Sequence, residues 1–304
     1  MGKTGQHGGG KFLSAFLAAV SITFLFPGAA MAGQWKQENV TNDWQSGESS
    51  YWYQEDDGTY PADTWKWING RCYYFNQAGW MLADTVTPDG YRVDASGAWV
   101  PDLLQAYPVR IRFSTMPFYF TSEETGPYVT ERRETIDAIV QALGGLQFQA
   151  VLPEDDTLLF GMTSELTVIY PDGTSETFYF CNPLFTGKGR YSWITGGNPD
   201  LINGAVYRDY MLKMQEEGRY QSLPEGTVSE IATAESGASA SFVLTTPSGT
   251  GIRVDCSGAK IFDTTGNGWL ILHEGDTVSV LYDKIENGIC NSSYIFIQKL
   301  AEKP

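Results

Sequence analysis

Tryptophan is concentrated in one part of this chain and recurs there at the spacing of β-hairpins. Seven of the nine tryptophans fall between Gly33 and Val100. Short aromatic runs alternate in this segment with glycine turns, as where Tyr73-Tyr74-Phe75 is followed by Ala78-Gly79. A two-stranded hairpin is only marginally stable in water, so each unit must bury its rings against the next one. The spacing therefore predicts a stack of β-hairpin repeats over residues 33–102.

Stacked hairpins leave clefts between successive units. Aromatic rings in such a cleft can surround a cation or lie against a sugar ring, and several weak sites in a row act through avidity. We therefore expect ligand binding in the aromatic clefts, although the rings would also serve to hold the stack together. The candidate ligand-binding residues are Trp52, Trp65, Trp67, Tyr73, Tyr74, Trp80, Tyr91 and Trp99.

The segment from about 33 to 100 resembles a known family of repeats. The residues that fall on the Gly-Trp, Gly, Trp-Tyr-Tyr, Gly and Met positions of cell-wall-binding repeats are Thr64-Trp65, Gly70, Tyr73-Tyr74-Phe75, Gly79 and Met81. The segment thus resembles the choline-binding-type repeats of Gram-positive surface proteins. The resemblance implies an aromatic cage for the choline head group of teichoic acids, built with Trp65 and Tyr74. Cys72 and Thr64 depart from the family pattern, which leaves choline and wall sugars both open as ligands.

The first 32 residues have the features of an export signal. Lys3 and Lys11 precede an apolar run from Phe12 to Phe26, and Ala30-Met31-Ala32 is a small-x-small cleavage site. The run of about 15 residues is shorter than the ~20 needed to span a bilayer. We expect residues 1–32 to be a signal peptide, and the mature chain to be secreted to the cell surface or cell wall without a transmembrane anchor.

The charge of the chain restricts its partners. Removing two lysines of the signal peptide from 20 basic residues leaves 18 against 36 acidic residues, a formal charge of −18. Nucleic acid is excluded as a partner on this basis. The phosphates of wall polymers are also repelled, so attachment must come from the aromatic clefts. The expected partners are cell-wall teichoic acid or peptidoglycan glycan, and no cofactor is expected.

The chain after the repeats predicts two small units. In residues 103–222, helical spacing with a Thr cap and a Gly stop predicts a helix from Thr130 to Gly144. Pro171-Asp172-Gly173 between two aromatic strands predicts a hairpin, and a second helix is expected over about 199–217. This order predicts an α+β domain of unknown role, and Gly218 to Gly226 is the expected linker to the next unit.

Residues 223–304 carry short strands punctuated by glycine, including strands expected at 241–245, 251–254, 269–272, 277–282 and 294–298. Five short strands in this length predict a small all-β, barrel-like domain. The chain as a whole is therefore expected to be mostly β with an α+β part. Both Cys256 and Cys290 lie in this strand-rich segment, and export would permit a disulfide between them.

Two motifs in the last domain suggest chemistry. Asp255-Cys256-Ser257-Gly258 resembles the nucleophile motif of wall-peptide cysteine peptidases, which need a histidine base. The single histidine of the mature chain, His273, follows closely, where glycines leave no room for the family's long helix. Residues 263–274 approximate a calcium loop, yet an alternating strand follows where a helix is required. We interpret these as a buried or bridged cysteine and an ordinary turn, and expect no metal site.

The function that these patterns favour is noncovalent attachment. We expect a secreted surface protein that binds choline or wall glycopolymers through its aromatic repeats and displays two small non-catalytic domains. The alternative is a peptidoglycan-modifying hydrolase with its catalytic unit in residues 103–304. One histidine excludes zinc amidases, whereas glycosidases need only two carboxylates and remain open. A host- or matrix-contacting adhesin is a third possibility with the same anchoring.

Overall fold

The computed structural model describes residues 33–38, 51–116, 127–150, 163–181, 183–187, 190–233, 239–266 and 271–301. The predicted signal peptide, residues 1–32, lies outside these ranges. The described part is mostly β, with β-hairpins first, then an antiparallel sheet with two helices, and then a five-stranded barrel. The predicted fold class is therefore confirmed. Among the described residues, no helix has the length and apolar character required to cross a membrane.

The repeat segment consists of short antiparallel strands joined by glycine turns. Its strands are β1 (Gln34–Gln37), β2 (Tyr51–Gln54), β3 (Thr64–Ile68), β4 (Arg71–Phe75), β5 (Thr85–Val86), β6 (Arg92–Val93) and β7 (Trp99–Val100). β1 pairs with β2, β3 pairs with β4, and β5, β6 and β7 form a three-stranded sheet. Asn69 and Gly70, both with positive φ, make the tight turn between β3 and β4. The hairpins that the aromatic spacing predicted are present.

The second unit is an antiparallel sheet with two helices. Its elements are β8 (Arg110–Met116), β9 (Tyr128–Thr130), α1 (Arg133–Gly144), β10 (Gln147–Ala150), β11 (Thr163–Ile169), β12 (Ser175–Cys181), β13 (Leu184–Gly187), β14 (Arg190–Gly196) and α2 (Asp200–Glu216). The strand order is β10-β14-β13-β12-β11-β8-β9. A row of buried side chains, Phe113, Leu166 and Phe178, runs across adjacent strands and joins the helix core through Ile139 and Val206. The predicted hairpin at Pro171-Asp172-Gly173 joins β11 to β12.

The start of α1 differs from the prediction. Thr130 was expected to cap the helix, but it ends β9, where it pairs with Ile111. Its hydroxyl accepts a hydrogen bond from the backbone N–H of Arg132 at 3.0 Å, so it closes the strand-to-helix turn. The N-cap residue is Arg132, which makes no side-chain cap, and the helix begins at Arg133. The predicted cap was wrong because the backbone of Thr130 is paired in the sheet.

The third unit is a closed barrel. Its strands are β15 (Gln221–Ser222), β16 (Gly226–Thr233), β17 (Ser239–Thr245), β18 (Gly251–Asp255), β19 (Lys260–Asp263), β20 (Thr277–Glu286) and β21 (Ile289–Lys299). β16, β17, β18, β21 and β20 pair in a ring that closes on β16, with a parallel pairing between β18 and β21. The predicted linker contains β15, which pairs with β20, and so belongs partly to the sheet. Of the strand expected at 269–272, residues 269 and 270 lie outside the described residues, and Ile271 and Leu272 are not in a strand.

A single apolar cluster runs through the three units. Helix α2 packs on the barrel as well as on its own sheet, with the ring of Tyr207 at 4.9 Å from that of Phe262. Leu281 and Phe296 of the barrel belong to the same cluster as Ile136 of α1. The predicted boundaries after residues 102 and 222 remain predictions, and the apolar core is continuous across both.

The repeat segment is also fixed to α1 by a buried polar cluster. Asp137 accepts hydrogen bonds from Arg71 Nε at 3.2 Å and from the hydroxyl of Tyr107 at 2.8 Å. The guanidinium carbons of Arg71 and Arg133 lie 4.8 and 4.9 Å from the centre of the Tyr107 ring. Burial raises the pKa of the Asp137 carboxyl, against the opposing effects of its bonds to Tyr107 and Arg71. This cluster ties the second hairpin to the helix.

The proposed disulfide is absent. Cys256 and Cys290 are both buried free thiols, and Cys72 is a third. The register places Cys290 opposite Val254 on the parallel strand, so Cys256 lies two positions beyond the residue that would face it. Their position in one strand-rich segment did not provide the facing geometry that a disulfide needs.

Candidate ligand-binding site

Three hairpins of the repeat segment place a pair of side chains at equivalent positions. Each closes its turn with a glycine N–H donated to the carbonyl three residues earlier, at Glu55, Asn76 and Asp94. Two positions before each of these carbonyls is a strand residue, and each such residue forms a pair with its partner on the neighbouring strand. The three pairs are Tyr53 with Trp35, Tyr74 with Trp65, and Arg92 with Val86. We call these the first, second and third pairs. The residues two positions before each strand partner all have positive φ: Gly33, Asp63 and Asp84.

The second pair forms the wall of an open pocket. The rings of Trp65 and Tyr74 meet edge to face, with centroids 5.3 Å apart and planes at 70°. Tyr91 of the next hairpin supports Trp65 at 5.8 Å. The pocket has a volume of about 390 Å³, and the residues that line it are Asp63, Thr64, Trp65, Tyr74, Pro88 and Asp89. A volume of this size is within the range of small-ligand sites.

Two carboxylates lie beside the two rings of this open pocket. Asp89 accepts hydrogen bonds from Trp65 Nε1 at 2.8 Å and from the hydroxyl of Thr87 at 2.6 Å. Asp63 accepts one from the hydroxyl of Tyr74 at 2.6 Å. These bonds fix the orientation of both rings and leave carboxylate lone pairs for a ligand, because each carboxylate has about four acceptor positions. Anionic oxygens next to aromatic faces form a site for a cation.

The hydrogen bond to Asp63 also controls the ionisation of the ring. It raises the pKa of Tyr74 to about 12, with further contributions from burial and from the charges of Asp63 and Asp89. The phenol therefore keeps its proton at neutral pH and remains a donor to Asp63. The pocket then carries the negative charge of its carboxylates alone.

The first pair has the same ring geometry, but its tyrosine packs into the core. Trp35 and Tyr53 meet at 5.3 Å and 73°, and Trp35 packs further on Tyr73 at 4.9 Å. Tyr53 is buried. A Cβ at Gly33 would lie 2.5 Å from the Tyr53 ring, so glycine allows this ring to fill the space next to it. The ammonium of Lys66 lies 5.7 Å from the centre of the same ring and pairs with Glu55 at 2.5 Å.

The third pair, Arg92 with Val86, contains no aromatic residue. Arg92 donates from its guanidinium to the carbonyls of Leu104 at 2.6 Å, Gln105 at 3.1 Å and Pro101 at 3.3 Å. Val86, its partner, is exposed. The arginine therefore fastens the last hairpin to the segment that leads into β8, and this pair forms no aromatic wall.

The structure separates the eight predicted aromatic residues into groups. Trp65 and Tyr74 line the open pocket, and Tyr91 supports it. Trp67 and Trp99 lie at the junction with α1, where Trp99 occupies the space left by the missing side chain of Gly144. Tyr73 is part of the core, Trp80 is half-buried, and Trp52 packs on Tyr60 at 6.0 Å. A binding role for these residues remains a prediction.

The aromatic pattern of the sequence did not indicate the polar half of the pocket, Asp63 and Asp89. Asp63 directly precedes β3 and Asp89 lies in a turn. Aspartate is common at such positions because its side chain stabilises turns, so neither residue indicated a ligand site. The signal for Asp89 was the Pro88-Asp89-Gly90 turn that follows the Trp65 hairpin, which brings the carboxylate back to the indole. Cys72, which replaces a family aromatic, is buried, and burial raises the pKa of its thiol to about 12.

The motifs of the barrel have structural partners. Cys256 is buried in the barrel core, and burial raises the pKa of its thiol to about 11. Asp276 accepts hydrogen bonds from the backbone N–H groups of His273 and Ala301. Asp263, the first position of the calcium-like loop, accepts bonds from the N–H and hydroxyl of Thr265. Within the described residues, no three His, Cys, Asp or Glu side chains gather in a group that could hold a metal ion.

Comparison with known proteins agrees with the geometry of the repeat segment. Residues 63–99 match the choline-binding repeat family. No curated protein sequence matches the chain. Among solved structures, the choline binding domain of Spr1274 in Streptococcus pneumoniae is 28% identical and covers 24% of this chain and 99% of its own, with a TM-score of 0.17.

A second solved structure is the modular Cpl-1 endolysin complexed with a peptidoglycan analogue. It is 17% identical and covers 48% of this chain, which in turn spans only 37% of the endolysin, with a TM-score of 0.20. Because both TM-scores are low, the assignment rests on the match to the repeat family, which contains both rings of the open pocket. The similarity of this chain to the choline-binding repeats is therefore shown for residues 63–99.

Proposed function

We propose that this chain is an exported surface protein of a Gram-positive bacterium, held noncovalently on the cell wall. Choline-binding repeats indicate cell-wall binding, and the open pocket is the place where a wall group would bind. The bound group is a cationic head group of teichoic acid or of a peptidoglycan-linked polymer. The remaining units are displayed from the wall and do not catalyse a reaction.

One observation carries this proposal: two carboxylates and two aromatic rings line the same pocket. Asp63 and Asp89 lie beside Trp65 and Tyr74. Aromatic faces alone would serve a sugar as well as a cation, but adjacent carboxylates favour a positive charge. The formal charge of the mature chain, −18, opposes contact with wall phosphates, so a local cation site is the favourable route to the wall.

Wall retention of a single-ring variant tests the proposal. Trp65→Leu removes one wall of the pocket, and we expect binding to purified walls to weaken by about tenfold or more. Tyr179→Leu is the matched control, because Tyr179 is an exposed aromatic residue on β12. Both variants should keep the circular dichroism spectrum of the parent chain. Equal retention of the Trp65→Leu variant and the parent chain would contradict the proposal.

The non-catalytic part of the proposal has its own test. Burial of the Cys256 thiol keeps it protonated at neutral pH, whereas a nucleophilic cysteine needs the thiolate. This argues against a thiol mechanism, and the proposal extends it to the carboxylates of these units, so we expect the purified chain to release no soluble fragments from peptidoglycan during prolonged incubation. Release of fragments would support the hydrolase alternative, and its persistence in Cys256→Ala would then exclude the thiol as the nucleophile.

A further inference from the structure

We propose that the open pocket binds a primary alkylammonium, whose N–H groups donate to Asp63 and Asp89, in preference to a quaternary ammonium. This inference rests on the proposed function, because it assumes that the pocket holds a cationic wall group. It adds the chemical class of that group, which the match to the repeat family does not decide for this chain.

The chain already contains such a complex at the first pair. Lys66 places a primary ammonium 5.7 Å from the centre of the Tyr53 ring and pairs it with the carboxylate of Glu55 at 2.5 Å. Ring and carboxylate thus bind one alkylammonium together. The first pair has the ring geometry of the second, 5.3 Å and 73° against 5.3 Å and 70°, so it is an internal precedent for the open pocket.

Among the described residues that line the open pocket there is no lysine, because a shorter residue stands at the position equivalent to Lys66. Lys66 follows Trp65, and Thr87 follows Val86 at the same register in the next hairpin. The hydroxyl of Thr87 donates to Asp89 at 2.6 Å and accepts a hydrogen bond from the backbone N–H of Tyr91 at 3.1 Å, so this side chain is held within its own turn. Asn76 stands where the first pair has Glu55, so the carboxylates of the second pair come from other positions, Asp63 and Asp89. An external ammonium would take the place that Lys66 has beside Tyr53.

Hydrogen bonding then decides between the two kinds of ammonium. A quaternary ammonium has no N–H and relies on ring faces, of which the open pocket provides two. A primary ammonium has three donors, and charge-assisted bonds to carboxylates are stronger than neutral ones. Asp63 and Asp89 each accept a bond from one of the two rings, and both line the pocket. The polar lining therefore favours the group that donates.

Ethanolamine and choline form a matched pair of probes, since they differ only in the three N-methyl groups. We expect titration of the full chain, followed by calorimetry, to give a dissociation constant for ethanolamine at least about tenfold below that for choline. Asp89→Asn keeps an acceptor for Trp65 but removes the charge, and should bring the two constants close together. Asp102→Asn, an exposed aspartate outside the pocket, is the control and should leave their ratio unchanged.

The outcomes separate this inference from the proposed function. If choline binds as tightly as ethanolamine or more tightly, and Trp65→Leu weakens both, the primary-ammonium inference is overturned and wall binding stands. If neither cation binds and Trp65→Leu leaves wall retention unchanged, both proposals are overturned. Glycerophosphoethanolamine and Nα-acetyl-lysine amide distinguish the two envelope sources of the group, because tighter binding of one identifies a polymer head group or a peptide side chain.

Discussion

The first and second pairs have the same ring geometry but different surroundings. Both join a tryptophan to a tyrosine across one hairpin at the same ring distance. Gly33 lets Tyr53 fill its own site, whereas the equivalent Asp63 projects a carboxylate beside Tyr74. Lys66 occupies the first pair, whereas Thr87 leaves the second open. The aromatic pair is therefore a shared framework, and two neighbouring positions decide whether it becomes core or pocket.

The strongest test of this comparison is a difference in stability. Tyr53→Ala removes a buried ring and should lower the free energy of unfolding by about 3 to 5 kcal/mol, the range for buried aromatic side chains. Trp65→Ala removes a half-buried ring at the pocket edge and should cost about 1 to 2 kcal/mol. Urea unfolding followed by circular dichroism gives both values. Equal losses would show that the two pairs serve the same structural purpose.

The hairpins could be predicted from the sequence, but the site could not be completed. Aromatic strands and glycine turns predicted the stack because they fix local geometry. The same pattern does not say which rings face the pocket, and Trp67 and Trp99 lie at the α1 junction because a helix distant in sequence packs there. Trp35, the equivalent of Trp65, was not among the predicted residues, since its partner strand comes after a long intervening segment.

The distal units show the same limit. α2 was predicted over about 199–217, close to its observed bounds of Asp200–Glu216. Its contact with Phe262 of the barrel was not predicted, because that packing joins residues far apart in the sequence. Thr130 was assigned to a helix cap by its position before the apolar pattern, whereas pairing with β8 placed it in a strand. Local chemistry predicted the elements, and tertiary contacts decided their roles.

The third pair adds to this comparison a hairpin whose equivalent positions hold no aromatic residue. Arg92→Met removes three hydrogen bonds to main-chain carbonyls while keeping an apolar stem. We expect the free energy of unfolding to fall by about 1.5 to 3 kcal/mol, because charged donors contribute more than neutral ones. Cation affinity at the open pocket should be unchanged in calorimetry. A loss of affinity would indicate that the third pair contributes to ligand binding.

A smaller effect is expected at the internal ammonium. Lys66→Met keeps the stem of the side chain and removes its charge from Tyr53 and Glu55. Both side chains of the ion pair are about a third exposed or less, so solvent screening limits the cost to about 1 kcal/mol. Thermal unfolding at low and high salt measures this cost, and the difference in stability between parent and variant should become smaller as the salt concentration rises. A stability difference that is independent of salt would mean that packing of the lysine stem, and not its charge, stabilises the first pair.

The smallest expected effect concerns the proton of Tyr74. Its pKa is raised from 10.0 to about 12, first by its bond to Asp63, whereas the unfolded chain keeps the ordinary value. A raised pKa favours the protonated folded state, so this stabilisation is complete below pH 10 and is lost as the pH rises through about 12. Tyr74→Phe has no phenol proton, so the stability difference between parent and variant should shrink across this window. Tyr179→Phe, at an exposed tyrosine, is the control. A difference that stays constant from pH 9 to 12 would show that Asp63 does not hold the phenol proton, and the pocket would then lose the bond that orients its tyrosine wall.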